Sequence, residues 1–150
     1  MEQLVFDFVP YSSKPSKATD EYATPPEIFQ QLDDEFHFTL DPCSTDENCK
    51  CKKHYTIEDD GLTKNWGGEV VFCNPPYSEI KTWVEKCFYE AQQDNTVVVM
   101  LIPAWTETRY FHQFILHRSE IRFVRGRVKF NGKSNPPFPN MIVIFRGAER

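Results

Sequence analysis

The sequence predicts an α/β fold in which helices pack on a mixed β-sheet. Two apolar runs, at residues 70–73 and 97–102, have the length and the valine content of buried strands. Apolar residues recur at helical spacing at 80–91, between these runs, and again at 110–115. Three more short strands are predicted towards the carboxyl end, at 121–124, 128–130 and 141–145. Strands that alternate with helices and are followed by neighbouring strands are typical of a layered α/β domain.

The first helix is predicted to begin at Thr24. Thr24 suits the N-cap position, Pro25 the first helical position, and Glu27 completes a capping box. Apolar residues then recur at every fourth position as far as residue 36. An alternating strand is predicted next, and it ends at Asp41.

The 150 residues are enough for one minimal domain. Residues 1–20 are interpreted as a flexible amino-terminal arm, because Ser, Lys and Pro dominate its second half. Residues 21–150 are assigned to the folded domain. No apolar run is long enough to cross a membrane, and the first residues lack the pattern of a signal peptide. Five cysteines without a regular spacing favour a reducing, cytoplasmic setting, such as that of a bacterial host cell.

Asn74-Pro75-Pro76-Tyr77 follows a predicted strand and precedes a predicted helix. The Asn74 carboxamide and the backbone carbonyl of Pro75 could each accept one hydrogen of an exocyclic amine. Those bonds would return the lone pair to a poorly nucleophilic nitrogen, which could then attack an activated methyl group. Pro75 and Pro76 would hold the backbone rigid, and Tyr77 would stack on a nucleic-acid base that has been extruded from its double helix. The pattern therefore predicts methylation of an amine.

A second, similar sequence at residues 135–138 follows a polar stretch and leads into a predicted strand. It is interpreted as a loop. Only the first copy has a strand before it and a helix after it, at the edge where α/β sheets place their ligands.

The net charge is −5, yet the charges are unevenly distributed. Residues 1–60 hold 14 acids and five Lys or Arg, whereas residues 109–133 hold seven Lys or Arg and one acid. A basic segment on an acidic body favours double-stranded DNA as a partner. The predicted DNA-binding residues are Trp105, Arg109, Arg125, Arg127, Lys129 and Lys133.

Short matches in a constant order along residues 20–146 resemble one family. They include Tyr22-Ala23-Thr24-Pro25, Phe38-Thr39-Leu40-Asp41, Glu58-Asp59-Asp60-Gly61-Leu62, Asn74–Tyr77, Leu101-Ile102-Pro103-Ala104 and Arg125-Gly126-Arg127. The family is that of the phage-type, Dam-like DNA N6-adenine methyltransferases. The resemblance implies a Rossmann-like fold with a mostly parallel sheet and helices on both faces. It also implies S-adenosylmethionine as the methyl donor, adenine N6 in DNA as the acceptor, and GATC as a recognition sequence.

The resemblance also assigns site residues. Asn74, Pro75, Pro76 and Tyr77 match the catalytic motif, and Asn74 also borders the donor. The donor-binding residues implied by the family are Thr24, Pro25, Asp41, Pro42 and Asp60. Asp41 would hold the ammonium group of the donor, and Asp60 would contact its adenine amine.

The chain departs from the family pattern where a glycine-rich loop is expected after the first acidic residue. Asp41 is followed by Pro42-Cys43-Ser44-Thr45, and Gly61 is the first glycine in the chain. The residues that replace this loop are left open, with Glu47 and Glu58 as weak candidates for binding the ribose.

Other functions remain open from the sequence. The motif also suits methylation of cytosine N4, RNA adenine or a protein amide, and the missing loop suits a DNA-binding module with a decayed site. Cys43, Cys49, Cys51 and His54 lack the paired spacing of common zinc sites, so no metal is expected. Pro42-Cys43 resembles the nucleophile of cytosine C5 methyltransferases, but the surrounding motif differs.

Overall fold

The structure is a computed structural model that describes residues 23–130 and 138–149. Its strands form one four-stranded sheet in the order β1-β2-β4-β3. The strand bounds are β1 Val70–Cys73, β2 Val97–Pro103, β3 Glu120–Phe123 and β4 Asn140–Arg146. The predicted arm at residues 1–20 and most of the loop at 135–138 lie outside the described residues.

The sheet is mixed, as predicted, but the prediction of a mostly parallel sheet is wrong. β1 and β2 pair in parallel, whereas β4 pairs antiparallel with both β2 and β3. Parallel neighbours need a crossover connection, which α2 (Ile80–Glu90) supplies between β1 and β2. The chain between β3 and β4 includes no α-helix among its described residues, and β4 returns antiparallel.

Two further predicted strands are not regular strands. The one ending at Asp41 is reduced to isolated parallel bridges, Leu40 to Val71 and Asp41 to His54. Residues 128–130 pair with no described strand, although Val128 and Phe130 are buried in the core.

Helices pack on the two faces of the sheet, as predicted. Alternate side chains of a strand point to opposite faces, so each strand serves two cores. On one face, Leu32 of α1 (Pro26–Phe36) packs with residues such as Phe72 and Leu101. On the other face, Val84 and the rest of the buried side of α2 pack with Val71 and Met100.

The amino terminus of α1 differs from the prediction by one residue. Pro25 occupies the N-cap position and Pro26 begins the helix, without a side-chain cap. The Thr24 hydroxyl is instead bonded to Asn74, 50 residues away in the chain. Proline has no N–H, so Pro25 and Pro26 remove two of the donors that the start of a helix leaves unpaired, and the helix begins without a threonine cap.

The apolar pattern at 110–115 forms a single π-helical turn, Phe111–Ile115, closed by the Leu116 N–H donating to the Phe111 carbonyl. Phe111, Phe114 and Ile115 are all buried on the α2 side of the sheet. Among the described residues, no helix has the length and apolar content that a membrane span requires.

Candidate active site

A cavity of about 670 Å³ opens beside the carboxyl ends of Leu40-Asp41 and β1. This is the edge at which α/β sheets bind ligands. Six of the predicted site residues line it: Thr24, Asp41, Pro42, Asp60, Asn74 and Pro76. Pro25, Pro75 and Tyr77 are described but lie outside its lining.

Asn74 lies immediately after β1, where the strand delivers its side chain to the cavity. Its amide nitrogen Nδ2 donates a hydrogen bond to Thr24 Oγ1 at 2.9 Å. Thr24 is buried, so this bond is shielded from competing water. The bond fixes the rotation of the carboxamide and commits its nitrogen to Thr24. The oxygen Oδ1 is then the end of the amide that can accept a hydrogen from a substrate amine.

Tyr77 does not present an open face to the cavity. Its ring is only 6% exposed, and three other rings meet it at steep angles: Phe138 at 5.3 Å, Trp105 at 6.3 Å and Phe130 at 6.5 Å between centroids. A base can stack on Tyr77 only if some of these rings move. The sequence assigned Tyr77 to the motif as a stacking residue, but local sequence could not show that distant aromatic residues cover it.

Asp41 is buried and lines the cavity. Burial raises the pKa of its carboxyl group, although backbone N–H groups of Lys50 and Cys43 act in the opposite direction. The Lys50 N–H donates to Oδ2 at 2.9 Å, and the Cys43 N–H donates to Oδ1 at 3.4 Å. Asp41 therefore holds the loop that follows it, and a cation in the cavity would favour its charged form.

Two loops replace the glycine-rich segment that the family pattern led us to expect. Residues 42–50 and 56–62 supply most of the cavity lining. They meet where Gly61 touches Pro42: a Cβ built on Gly61 would lie 2.2 Å from the Pro42 carbonyl oxygen. The Gly61 carbonyl also accepts a hydrogen bond from the Trp66 indole at 3.1 Å. The close backbone approach, which requires glycine, thus occurs 20 residues after Asp41 rather than in the loop directly after it.

The cavity lining is strongly acidic. Asp60 lies at the start of the Gly61 turn in a left-handed conformation, with φ of 57°. Acidic side chains in the lining are Asp41, Asp46, Glu47, Glu58, Asp60 and Glu79, and Lys50 is the one cation among the described lining residues. Such a lining favours a ligand that carries positive charge.

The predicted DNA-binding residues are separate from this cavity. Arg109, Arg125, Arg127 and Lys129 are exposed, and Trp105 is half-buried against Tyr77 and Phe138. Lys133 lies outside the described residues. Arg122, a further cation of the basic segment, is held by Glu35 on α1 through two bonds of 2.7 and 2.8 Å and by Glu120 at 2.7 Å. Its charge is therefore compensated within the protein.

The cysteine-rich loop shows no metal site: within 23–130 and 138–149, no three His, Cys, Asp or Glu side chains are arranged to hold a metal ion. Both ring nitrogens of His54 are engaged, with Asp46 Oδ1 at 2.8 Å and the Lys52 carbonyl at 3.0 Å. A hydrogen bond with Cys73 and burial raise the pKa of Cys43 well above its usual range. Such a thiol is a poor nucleophile, which weighs against the cytosine C5 mechanism.

Sequence patterns missed two buried polar side chains near the site. Asn140, at the start of β4, is 1% exposed, and neither atom of its carboxamide bonds to a described residue. The Trp83 indole N–H, in the cavity lining, is likewise buried without a partner in the described part of the chain. Asn140 sits among apolar residues, so a strand pattern identifies its position but not its amide.

Comparisons with known proteins place the chain in a family. A family model for the DNA N-6-adenine-methyltransferases, named Dam, matches residues 11–147. The chain belongs to this Dam family. A DNA N-6-adenine-methyltransferase of Haemophilus phage HP1 is 30% identical over 135 residues, which is 84% of this chain and 78% of the relative. One of Escherichia phage T1 is 30% identical over 117 residues, 77% of this chain and 49% of the relative. The family resemblance predicted from the sequence is confirmed.

Proposed function

We propose that this chain transfers a methyl group from S-adenosylmethionine to the N6 amine of adenine in DNA. Membership of the Dam family makes it an adenine-specific DNA methyltransferase. The observation that carries the residue-level proposal is the Asn74 carboxamide, which lines the cavity and is oriented by Thr24.

The residues around the cavity suit this donor. S-adenosylmethionine supplies a methyl group on a positively charged sulfonium, and it also carries an ammonium group. Six acidic side chains in the lining, with Asp41 the most deeply buried of them, would stabilise both charges. A cavity of about 670 Å³ is within the range of small-molecule sites. Asp60 remains the proposed contact to the adenine end of the donor, and Thr24, whose hydroxyl is bonded to Asn74, borders the methionine end without binding it.

Asn74 prepares the amine for transfer. Its Oδ1 accepts one N6 hydrogen and the Pro75 carbonyl accepts the other, so that the nitrogen lone pair points at the methyl carbon. The nitrogen–carbon bond forms as the sulfur–carbon bond breaks, and the product amine loses its proton to solvent. The electron pair of the broken bond stays on sulfur, and no enzyme nucleophile takes part. Tyr77 stacks on the base once the surrounding rings have moved.

The fold supports a Rossmann-like arrangement as part of this proposal. The bridge between Leu40 and Val71 extends the sheet in parallel beyond β1. Asp41 then ends a short first strand beside β1, and Asn74 follows the next one. The two side chains meet at one edge of the sheet, as donor and acceptor sites must. Residues 21–150 are the proposed methyltransferase domain.

Replacing Asn74 with Ala tests the proposal. The rate of methyl transfer should fall by about 10²-fold, equivalent to ~3 kcal/mol for one aimed polar group. The thermal unfolding temperature should fall only slightly, because the substitution removes one hydrogen bond, that to the buried Thr24 hydroxyl. Gln113→Ala, at an exposed amide on the π-helical turn, is the matched control. A variant that methylates DNA at the parent rate would exclude the assigned role of Asn74.

Substrate class and recognition need separate measurements. Tritiated S-adenosylmethionine offered to DNA, RNA and protein should label DNA, and digestion should yield N6-methyladenine rather than N4-methylcytosine. Sequencing DNA from cells that express the chain, with methyladenine detected at each base, would show whether GATC is the site. Absence of donor binding in calorimetry, with and without DNA, would favour the decayed DNA-binding module.

A further inference from the structure

Phe123 is a largely exposed aromatic residue that makes no ring contact with any described residue. Large apolar side chains are conspicuously exposed at only three described positions: Ile57, Tyr89 and Phe123. Ile57 belongs to the cavity lining, and Tyr89 packs edge-on against two rings of the core. Phe123 is 66% exposed and makes no ring contact with a described residue. Its exposed surface therefore needs an explanation other than folding.

The sheet brings Phe123 to the edge where the chemistry occurs. β2 and β3 both pair antiparallel with β4, so they run in the same direction as each other and as β1. Phe123 ends β3 just as Cys73 ends β1, immediately before Asn74. Three strand spacings of ~4.8 Å separate the two strand ends, which is roughly 14 Å. A duplex lying along this edge would reach both.

The charges next to Phe123 identify the kind of partner. Arg125, Arg127 and Lys129 follow it within six residues, and all three are exposed. Arg125 and Lys129 form no ion pair with any described side chain. An exposed aromatic ring with exposed cations close to it in sequence is complementary to a nucleic acid, whose phosphates can meet the cations while its bases meet the ring. The other exposed ring, Tyr89, has Glu85 and Glu90 on its own helix.

We propose that Phe123 inserts into the base stack of duplex DNA beside the target adenine. This inference rests on the proposed function, because methylation requires the adenine to leave the stack. Extruding a base from the duplex loses the free energy of its stacking and base pairing, and an aromatic ring inserted in its place restores part of the stacking. Phe123 is thus a positioning residue, which holds the distorted duplex while Asn74 acts on the extruded base.

The test compares fully paired DNA with DNA in which the target adenine faces an abasic site. Phe123→Ala should lower kcat/KM on the paired duplex by about 10-fold, the size of one stacking interaction. The loss should largely disappear on the abasic duplex, because the unpaired adenine already leaves the stack easily. Phe123→Tyr should retain the parent rates on both, and Tyr89→Ala is the control for an exposed ring elsewhere.

A binding measurement needs no catalysis and so separates this inference from the proposed function. With 2-aminopurine at the target position, the parent should raise its fluorescence on binding, and Phe123→Ala should not at equal occupancy. An equal loss of rate on both duplexes, or an unchanged fluorescence rise, would overturn the insertion. So would sedimentation showing that Phe123→Ala abolishes a dimer present in the parent, because the ring would then serve self-association. Failure of the parent to methylate any DNA would instead contradict the proposed function.

Discussion

Thr24 affects the reaction through Asn74, to which it is hydrogen-bonded at 2.9 Å. Thr24→Val keeps the shape and removes the acceptor, so the carboxamide loses its fixed rotation. A hydrogen bond of this kind contributes about 1 kcal/mol, so kcat should fall roughly 5- to 10-fold. The KM for the methyl donor should change little, and Thr24→Ser should recover most of the rate. A rise in donor KM with an unchanged kcat would show that Thr24 contacts the donor instead.

Asp41 should make donor binding sensitive to acid. Burial raises the folded-state pKa of this carboxyl group above its ordinary value. The neutral Asp41 carboxyl group contributes to the stability of the folded state. This contribution is fully present below the pKa of Asp41 in the unfolded chain and is lost as the pH rises through its pKa in the folded protein. A cationic donor binds the charged form, so its affinity should fall as the pH is lowered through that same folded pKa.

Calorimetry between pH 4 and 7 measures this dependence. Asp41→Asn should bind the donor more weakly at neutral pH and with a flatter profile, while Asp94→Asn, outside the cavity, should follow the parent. If parent and Asp41→Asn have parallel profiles, the acid dependence arises from another group.

At the scale of the elements, the two cavity loops depend on the contact between Gly61 and Pro42. Gly61→Ala places a methyl group 2.2 Å from a backbone oxygen, so the loops must separate. Overpacking of this kind costs about 1–3 kcal/mol in the free energy of unfolding. Donor affinity should fall as well, because both loops line the cavity. Chemical denaturation and donor titration measure the two effects.

Gly68→Ala is the control for Gly61→Ala. Gly68 has φ of 80° and nothing within 4 Å of a built Cβ, so alanine there strains the backbone without moving the cavity loops. It should lower stability and leave donor affinity unchanged. Equal losses of donor affinity in the two variants would show that the cavity responds to general destabilisation.

Sequence predicted those elements whose stability comes from local apolar patterns. The runs that form β1, β2 and β4, and the periodicity of α2, were sufficient to locate them within one or two residues. The backbone pairing of the strand before Asp41 and of the segment 128–130 was not predicted correctly, because it depends on neighbours that are distant in the chain. The same limit applies to the site: Asn74 and Asp41 could be recognised, whereas the Thr24 bond and the covering of Tyr77 by Phe138 depend on tertiary contacts.

For the whole molecule, charge is divided between an acidic cavity and a basic edge. The basic edge presents Arg125, Arg127 and Lys129 to the DNA phosphates. Each phosphate contact steepens the slope of log K for DNA binding against log salt by about 0.9. Replacing all three with Ala should therefore reduce the slope of log K against log salt by about 2 to 3. A matched variant at Lys52 and Lys81, which are exposed elsewhere, should keep the parent slope. Unchanged slopes in the triple variant would place the DNA on another surface.

The position of β4 has a consequence for synthesis of the chain. β4 follows β3 in sequence but lies between β2 and β3, and it pairs with β2 along seven residues. Before β4 has emerged from the ribosome, one edge of the apolar strand β2 is unpaired and β3 lacks its pairing partner. Such an open side is where a nascent chain can associate with another copy. Premature termination before Asn140 would thus remove an interior strand and leave a product prone to aggregate.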